Sequence, residues 1–342
     1  MKRKAATMQD IARQVGVSVN AVSLALKDRP GVSDDTRQRV REIAQKIGYK
    51  AKKTPPPETP QTRKSICVLL RHRFFRDFRF YGRILLGIEE TAKQAGYDVQ
   101  ISSFGGEEVP ASVQEGRVSG LIVLGTIDDK FLARLREYGV PLVLADHQSS
   151  VYALNCVVSD NFFGAYGMAM HLFRKGYTRI GFFGDPNYTP STRDRYFGVL
   201  KAIQDHVCPG DMNAALAYLT RFSTRGMIEK YVVEQNVARI FELYEDIPET
   251  PEALICSNDE LAILLMQVLQ KHDIAVPGDV AVAGFDDIET GSMVTPTLTT
   301  VHVRKKLMGQ RAVECLLRRL DDPDAPPEKH IMSVTLVERE SV

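Results

Sequence analysis

From residue 65 to residue 342, short apolar runs of strand length alternate with amphipathic stretches of helical length. Strands separated by a helix cannot pair as hairpins; they pair in parallel, with the helices packed on both faces of the sheet. The apolar runs predict strands over 66–70, 99–102, 121–124, 142–145, 179–183, 253–256 and 280–283, with one more strand-like run over 331–338. Helical patterning predicts helices over 81–94, 162–175, 192–205, 260–272 and 305–320. The fold class expected is α/β, and 342 residues suffice for two such lobes, each with its own core, plus one small domain.

Charge divides the chain in the same place. Up to Lys64 it carries 15 Lys/Arg against 6 Asp/Glu, and beyond it 29 against 37, giving formal charges of +9 and −8. A basic segment of that size neutralises phosphates and releases counterions, whereas the acidic remainder has no electrostatic reason to approach nucleic acid. Nucleic-acid contact is therefore assigned to the first sixty-odd residues.

Local signals in that segment spell three helices. Thr7 with Asp10 makes a capping-box start, Ile11, Ala12 and Val15 recur at helical spacing, and Gly16 ends the turn. Ser18 is placed to cap a second helix whose Val22, Ala25 and Leu26 face inward, leaving Val19, Asn20, Ser23, Leu24 and Lys27 outward. Ser33, Asp34 and Asp35 begin a third helix with Val40, Ile43, Ala44 and Ile47 as its apolar stripe and Gly48 as its stop. Two short helices around a Gly turn form a helix-turn-helix, and the third completes a small shared core.

The string Met8-Gln9-Asp10-Ile11-Ala12, then Gly16-Val17-Ser18, Val22-Ser23, Val32-Ser33, Thr36-Arg37 and Gly48-Tyr49, closely resembles the head of the LacI/GalR repressors. The resemblance implies that the second helix lies in the major groove, with Ser18, Val19, Asn20 and Ser23 at base and phosphate contacts and Thr7, Ser33 and Thr36 at backbone contacts. Asn20 is suited to adenine, and Lys27 is the nearest basic reader or phosphate anchor. Where many members carry an arginine that reads guanine, this chain has Leu24, so readout there is apolar or absent.

Residues 50–64 hold five Lys/Arg, four prolines and no large apolar side chain, which makes them an extended linker. Relatives usually place here a Pro-Asn and Ala-Arg-x-Leu segment that wedges a leucine into the minor groove. This chain lacks that segment, so it is not expected to kink its operator by leucine insertion.

Four fragments extend the resemblance over the rest of the chain and to periplasmic sugar-binding proteins: Ser159-Asp160-Asn161; His171, Gly176-Tyr177 and Arg179-Ile180-Gly181; Ser257-Asn258-Asp259-Glu260; and Val282 through Asp287 to Leu298-Thr299-Thr300-Val301. They imply an N-terminal three-helix helix-turn-helix head followed by two Rossmann-like lobes of the type I periplasmic-binding-protein kind. The expected organisation is a head over 1–50, a linker over 51–64, and an effector-binding and dimerisation domain over 65–342. Lobe 1 is expected over about 65–157 and 290–330, and lobe 2 over about 158–289 and 331–342, with crossings near Val157, Glu289 and His330. Ligands in open α/β lobes bind at the carboxyl ends of strands, where Asp146, Asp286 and the Asn258-Asp259 pair fall. Asp146, Arg195, Asn258 and Asp286 match the family's effector-binding positions, including the Ser191-x-x-x-Arg195-x-x-Gly198 spacing. Carboxylates that accept hydroxyl hydrogen bonds, with an arginine to donate, suit a sugar or polyol. The alternative for Asp259 is a helix cap, and for Asp286 the closure of a turn.

The loop 71–79 carries four arginines and a histidine against one aspartate, among phenylalanines that include Phe74, a candidate effector contact. It admits three readings: recognition of an anionic, phosphorylated effector; docking of a protein partner; or solvated surface charge. Phe222 is a candidate for stacking on a sugar ring.

Five scattered cysteines imply neither a disulfide framework nor a zinc site. No Gly-x-Gly-x-x-Gly, Walker loop, nucleophile elbow or metal-spaced His/Cys set occurs, so no cofactor, metal or catalysis is expected. No run approaches the roughly 18 apolar residues of a membrane span, and a cytoplasmic location is expected. The expected function is that of an effector-controlled, sequence-specific regulator, expected to repress. It would bind double-stranded DNA at a palindromic operator as a homodimer.

Overall fold

In a computed structural model of the chain, residues 7–26, 32–47, 64–75, 78–106, 108–226, 228–234 and 236–342 are described, without the side chains of Asn20, Ser23, Arg73 and Phe75. The chain divides into two compact units, Met1–Thr62 and Arg63–Val342.

The first unit contains α1 (Met8–Val15), α2 (Val19–Leu26) and α3 (Asp34–Lys46). Each starts where a side-chain oxygen replaces a missing helical acceptor. Thr7 and Asp10 cap each other's backbone in α1, the Ser18 hydroxyl accepts from the Ala21 N–H at the start of α2, and Ser33 accepts from the Thr36 N–H in α3. Gly16 ends α1 in the left-handed region at φ 77°. Ile11, Val22, Ala25 and Val40 are fully buried where the three helices meet, with Ala12 and Ala44 beside them. A core of so few side chains, each contributing about 1.5–3 kcal/mol when large, makes the caps a sizeable share of this unit's stability.

The second unit holds two parallel sheets. Its chain runs β1 (Ser65–Arg71), a 3-10 turn (His72–Phe75), α4 (Phe78–Gln94), β2 (Asp98–Phe104), α5 (Ala111–Gln114), β3 (Gly120–Leu124), α6 (Asp129–Glu137), β4 (Leu142–Ala145) and β5 (Cys156–Ser159). Then follow α7 (Asn161–Arg174), β6 (Ile180–Phe183), α8 (Pro190–His206), α9 (Met212–Phe222), α10 (Glu229–Val233), α11 (Val237–Glu245), β7 (Ala253–Cys256), α12 (Asp259–Lys271) and β8 (Ala281–Ala283). The last elements are β9 (Thr300–His302), α13 (Lys305–Asp321), β10 (Lys329–Met332) and β11 (Thr335–Val337).

The sheet of lobe 1 has the order β10-β5-β4-β3-β1-β2, and that of lobe 2 the order β6-β7-β8, extended by bridges from β8 and Asp286 to Thr299 and His302 around β9, which pairs with β11. Strands β1, β3, β4, β6, β7 and β8 are buried along nearly their whole length, as parallel strands covered on both faces must be. Helix α13 lies so close to α4 that a Cβ on Gly309 would sit 2.1 Å from the Ile84 carbonyl oxygen.

Strand pairing moves two of the expected crossings. Because β9 pairs within lobe 2, the chain returns to lobe 1 after His302, not near Glu289. The run 331–338 is two strands in different sheets, with β10 beside β5 and β11 beside β9, so the last crossing falls between Met332 and Thr335. The five cysteines are free thiols, and no helix of the described residues is long and apolar enough to cross a membrane.

Candidate functional site

In the first unit, the face of α2 expected to meet DNA presents Val19, which is 42% exposed, and a half-buried Leu24. The side chains of Asn20 and Ser23, and the whole of Lys27, lie outside the described residues, as do Gly48 and the linker up to residue 63. Thr7, Ser33 and Thr36 are engaged locally: Thr7 Oγ1 donates to Asp10 at 2.7 Å, and the hydroxyls of Ser33 and Thr36 lie 2.9 Å apart.

In the second unit, a cavity of about 120 Å³ opens between the lobes at the carboxyl ends of β4, β7 and β8. It collects Phe74, Asp146, Arg195, Asn258 and Asp286, the five effector positions expected from sequence. Asp146 follows β4 in the left-handed region at φ 56°, which aspartate tolerates better than most residues. Asp286 follows β8 at φ 118°, a strained conformation held by its N–H donating to Val301 and by its carboxylate on Arg195.

Arg195 sits on α8, whose close seating on α7 depends on Gly198; a Cβ there would lie 2.2 Å from the Phe162 carbonyl oxygen. The guanidinium is buried and donates to Asn161 Oδ1 at 2.8 Å, the Ser257 carbonyl at 2.6 Å and Asp286 Oδ1 at 3.0 Å, with the Phe285 ring beneath it at 3.8 Å. Three of its five N–H groups are therefore committed within lobe 2. Asn258, not Asp259, caps α12, its Oδ1 accepting from the Leu261 N–H at 2.9 Å. Asp259 is fully buried and accepts from the Ile288 N–H and the Thr300 hydroxyl, tying α12 to the loop after β8.

The cavity wall is acidic. Burial pushes the Asp146 carboxyl up to about 7, Asp286 adds to the rise, and Arg195 and the Tyr81 hydroxyl at 3.2 Å oppose it. Burial also raises Asp286 itself, against Arg195 and Lys305. Glu260, which the sequence reading passed over, lines the same cavity and is raised by burial and by Asp286. Also missed were the rings of Tyr81 and Tyr188, which share the lining with Phe80. Lys305, at the start of α13, crosses from lobe 1 to donate to the backbone carbonyls of Asp286 and Asp287.

Neither described arginine of the loop 71–79 lines this cavity. Arg71 donates to Asp128 at 2.6 Å and lies over the Phe104 ring. Arg79 faces a separate, more open groove of about 900 Å³ between α4, the start of α13 and residues 287–292. Arg76 and Asp77 are outside the described residues. Phe222 is 1% exposed in the core of lobe 2, where its ring packs edge-on against Tyr218, so it cannot stack on a ligand. A core side chain and a cleft aromatic read alike in sequence.

Against known families, residues 169–342 match the periplasmic binding protein-like domain and residues 7–52 match the bacterial regulatory proteins of the lacI family. The chain belongs to the LacI/GalR family. It is a DNA-binding transcriptional regulator of that family. It is 29% identical over 340 residues to the HTH-type transcriptional regulator GalR of Lacticaseibacillus casei, covering 98% of this chain and 99% of that one. The LacI-family fold recurs in the complex of the transcriptional regulator CelR with cellobiose, at a TM-score of 0.69 and 22% identity over 98% of this chain and 100% of the other. The lac repressor dimer bound to operator and the anti-inducer ONPF matches at a TM-score of 0.65 and 23% identity, over 99% of both chains.

Proposed function

We propose that this regulator is a repressor whose hold on DNA is set by a polyhydroxylated small molecule, a sugar or sugar derivative, bound between its lobes. The observation that carries this reading is the convergence of Asp146, Arg195, Asn258 and Asp286 on one cavity at three strand ends. Carboxylates accept the hydroxyl hydrogens of such a ligand, the aromatic walls cover its apolar ring faces, and the uncommitted N–H groups of Arg195 and Asn258 serve its oxygens. A phosphorylated effector finds little to hold it among the described residues, where the one arginine in the wall is already committed to Asp286 and the described arginines of the loop 71–79 lie elsewhere.

DNA contact falls to α2 and the caps of α1 and α3, through Ser18, Val19, Asn20, Ser23, Leu24, Lys27, Thr7, Ser33 and Thr36. The lac repressor is a dimer on its operator, and two heads of this regulator are read in the same way, on a palindromic site. Ligand binding couples to that arrangement through Asp286: its side chain faces the cavity while its carbonyl is held by Lys305 of α13, an element of lobe 1. Closing the cleft on a ligand changes both contacts at once, a coupling free energy between the two sites.

The test begins with operator fragments selected from genomic DNA by the full-length protein, followed by titration with sugars and gel-shift readout. Asp146→Asn keeps the fold and should keep DNA binding while losing the ligand's effect. A variant that still responds to ligand as the parent does would overturn the cleft reading.

A further inference from the structure

We propose that the effector carries a positively charged amino group, placing it among the amino-sugars or amino-polyols, and that Glu260 selects it. This deepens the cleft reading above and rests on it. Among the described residues, the charges that line the cavity are Asp146, Glu260 and Asp286 against Arg195. Arg195 and Asp286 neutralise each other at 3.0 Å, and Lys305 nearby is committed to two backbone carbonyls. Among the described residues, the hydrogen bond to the Asp146 carboxyl comes from the neutral Tyr81 hydroxyl at 3.2 Å, with Arg195 acting on it only through space, and Glu260 has no hydrogen bond or ion pair.

Two carboxylates facing one partly buried space repel each other and lose hydration, and both are held above the ordinary carboxylate range by that burial. Arg79 is the cation that acts on Glu260 from outside the cavity, and it is exposed, where solvent screens it. A neutral polyol would satisfy the acceptors and leave the charge uncompensated. An ammonium group compensates it, donates three hydrogen bonds, and gains from the rings of Phe74, Phe80, Tyr81 and Tyr188 around the same space. A phosphate adds a third uncompensated negative charge.

The full-length protein is titrated by thermal shift and calorimetry with a panel of amino-sugars and amino-alditols, each beside its N-acetylated, deaminated and phosphorylated counterpart. At least one amine should bind, its N-acetyl counterpart should not, and Glu260→Gln should weaken the amine by about tenfold or more, the worth of a hydrogen bond to a charged group. Hits confined to neutral or phosphorylated members, or amine binding unchanged in Glu260→Gln, overturn the proposal. If such hits vanish in Asp146→Asn, the cleft still binds the effector and only the amino group is wrong. If they persist in Asp146→Asn, or the whole panel is silent, the cleft reading falls as well.

Discussion

Replacing Asp146 by Asn should stabilise the protein while it abolishes the ligand response. The Asp146 carboxyl rises from 3.8 to about 7 on folding. A carboxyl whose value is raised in the folded state favours folding most below pH 3.8, and that contribution is lost as pH climbs toward about 7. At about 1.4 kcal/mol per unit, the full rise corresponds to about 4 kcal/mol of destabilisation at neutral pH relative to a side chain that never ionises. Asp146 is half-buried, so solvent screens part of this, leaving about 2 kcal/mol. In a unit of this size that is a rise in melting temperature of about 4 °C. Scanning calorimetry at pH 7.5 and pH 4.5 reads the effect, with the gain at the lower pH well under half that at the higher. Equal gains at both values, or no gain at pH 7.5, would refute the argument that a desolvated carboxylate is held here for binding and not for stability.

Three further outcomes follow from other contacts. Arg195→Met leaves Asp286 buried without its partner and should cost about 3–5 kcal/mol in denaturant unfolding, part of which Arg195→Met/Asp286→Asn recovers. Gly198→Ala drives a methyl group into the Phe162 carbonyl and should cost about 1–3 kcal/mol by forcing α7 and α8 apart, seen as a lower denaturant midpoint at unchanged slope. Asp287 is pushed up by burial but held below its ordinary value by Arg339 and His302. Its contribution is present above pH 3.8 and lost as pH falls, so Arg339→Ala should lose about 1 kcal/mol at pH 7 and converge with the parent in acid.

Much of this was legible in sequence because it is local. A cap needs only a hydroxyl or carboxylate a few residues from the N–H it serves, so Thr7, Ser18 and Ser33 announced their helices. Parallel strands buried on both faces leave long apolar runs, and the residues just beyond them, Asp146 and Asp286, were placed at the cleft by that rule together with the family resemblance. What stayed hidden depends on partners distant in the chain. Residues 331–338 alternate in the same way whichever sheet receives them, so the crossing between β10 and β11 could not be seen. Glu260 reads as an acid in the first turn of a helix, a common complement to the helix dipole, and only the closure of lobe 1 over it makes it part of a cavity wall. Asp259 and Asn258 are adjacent and equally able to cap; the extended backbone of Asn258 and the reach of Asp259 toward Thr300 decide which does so.

The pairing of β10 with β5 and of β11 with β9 bears on how the protein is made. During synthesis β5 emerges about 170 residues before the strand that covers it, an interval on the order of ten to thirty seconds at ordinary ribosomal speed. Through most of that interval lobe 1 lacks α13, which packs on α4 and the sheet, as well as the strand at its edge, so an apolar face and a bare strand stand open together, the kind of template on which nascent chains pair with one another. Lobe 2 waits longer still: β11 must close on β9, and Ser341 must exchange hydrogen bonds with Val282, Thr297 and Thr299. Both lobes thus reach their native state nearly together, once β10 and β11 have emerged, although lobe 1 begins at Ser65, about 270 residues before β11.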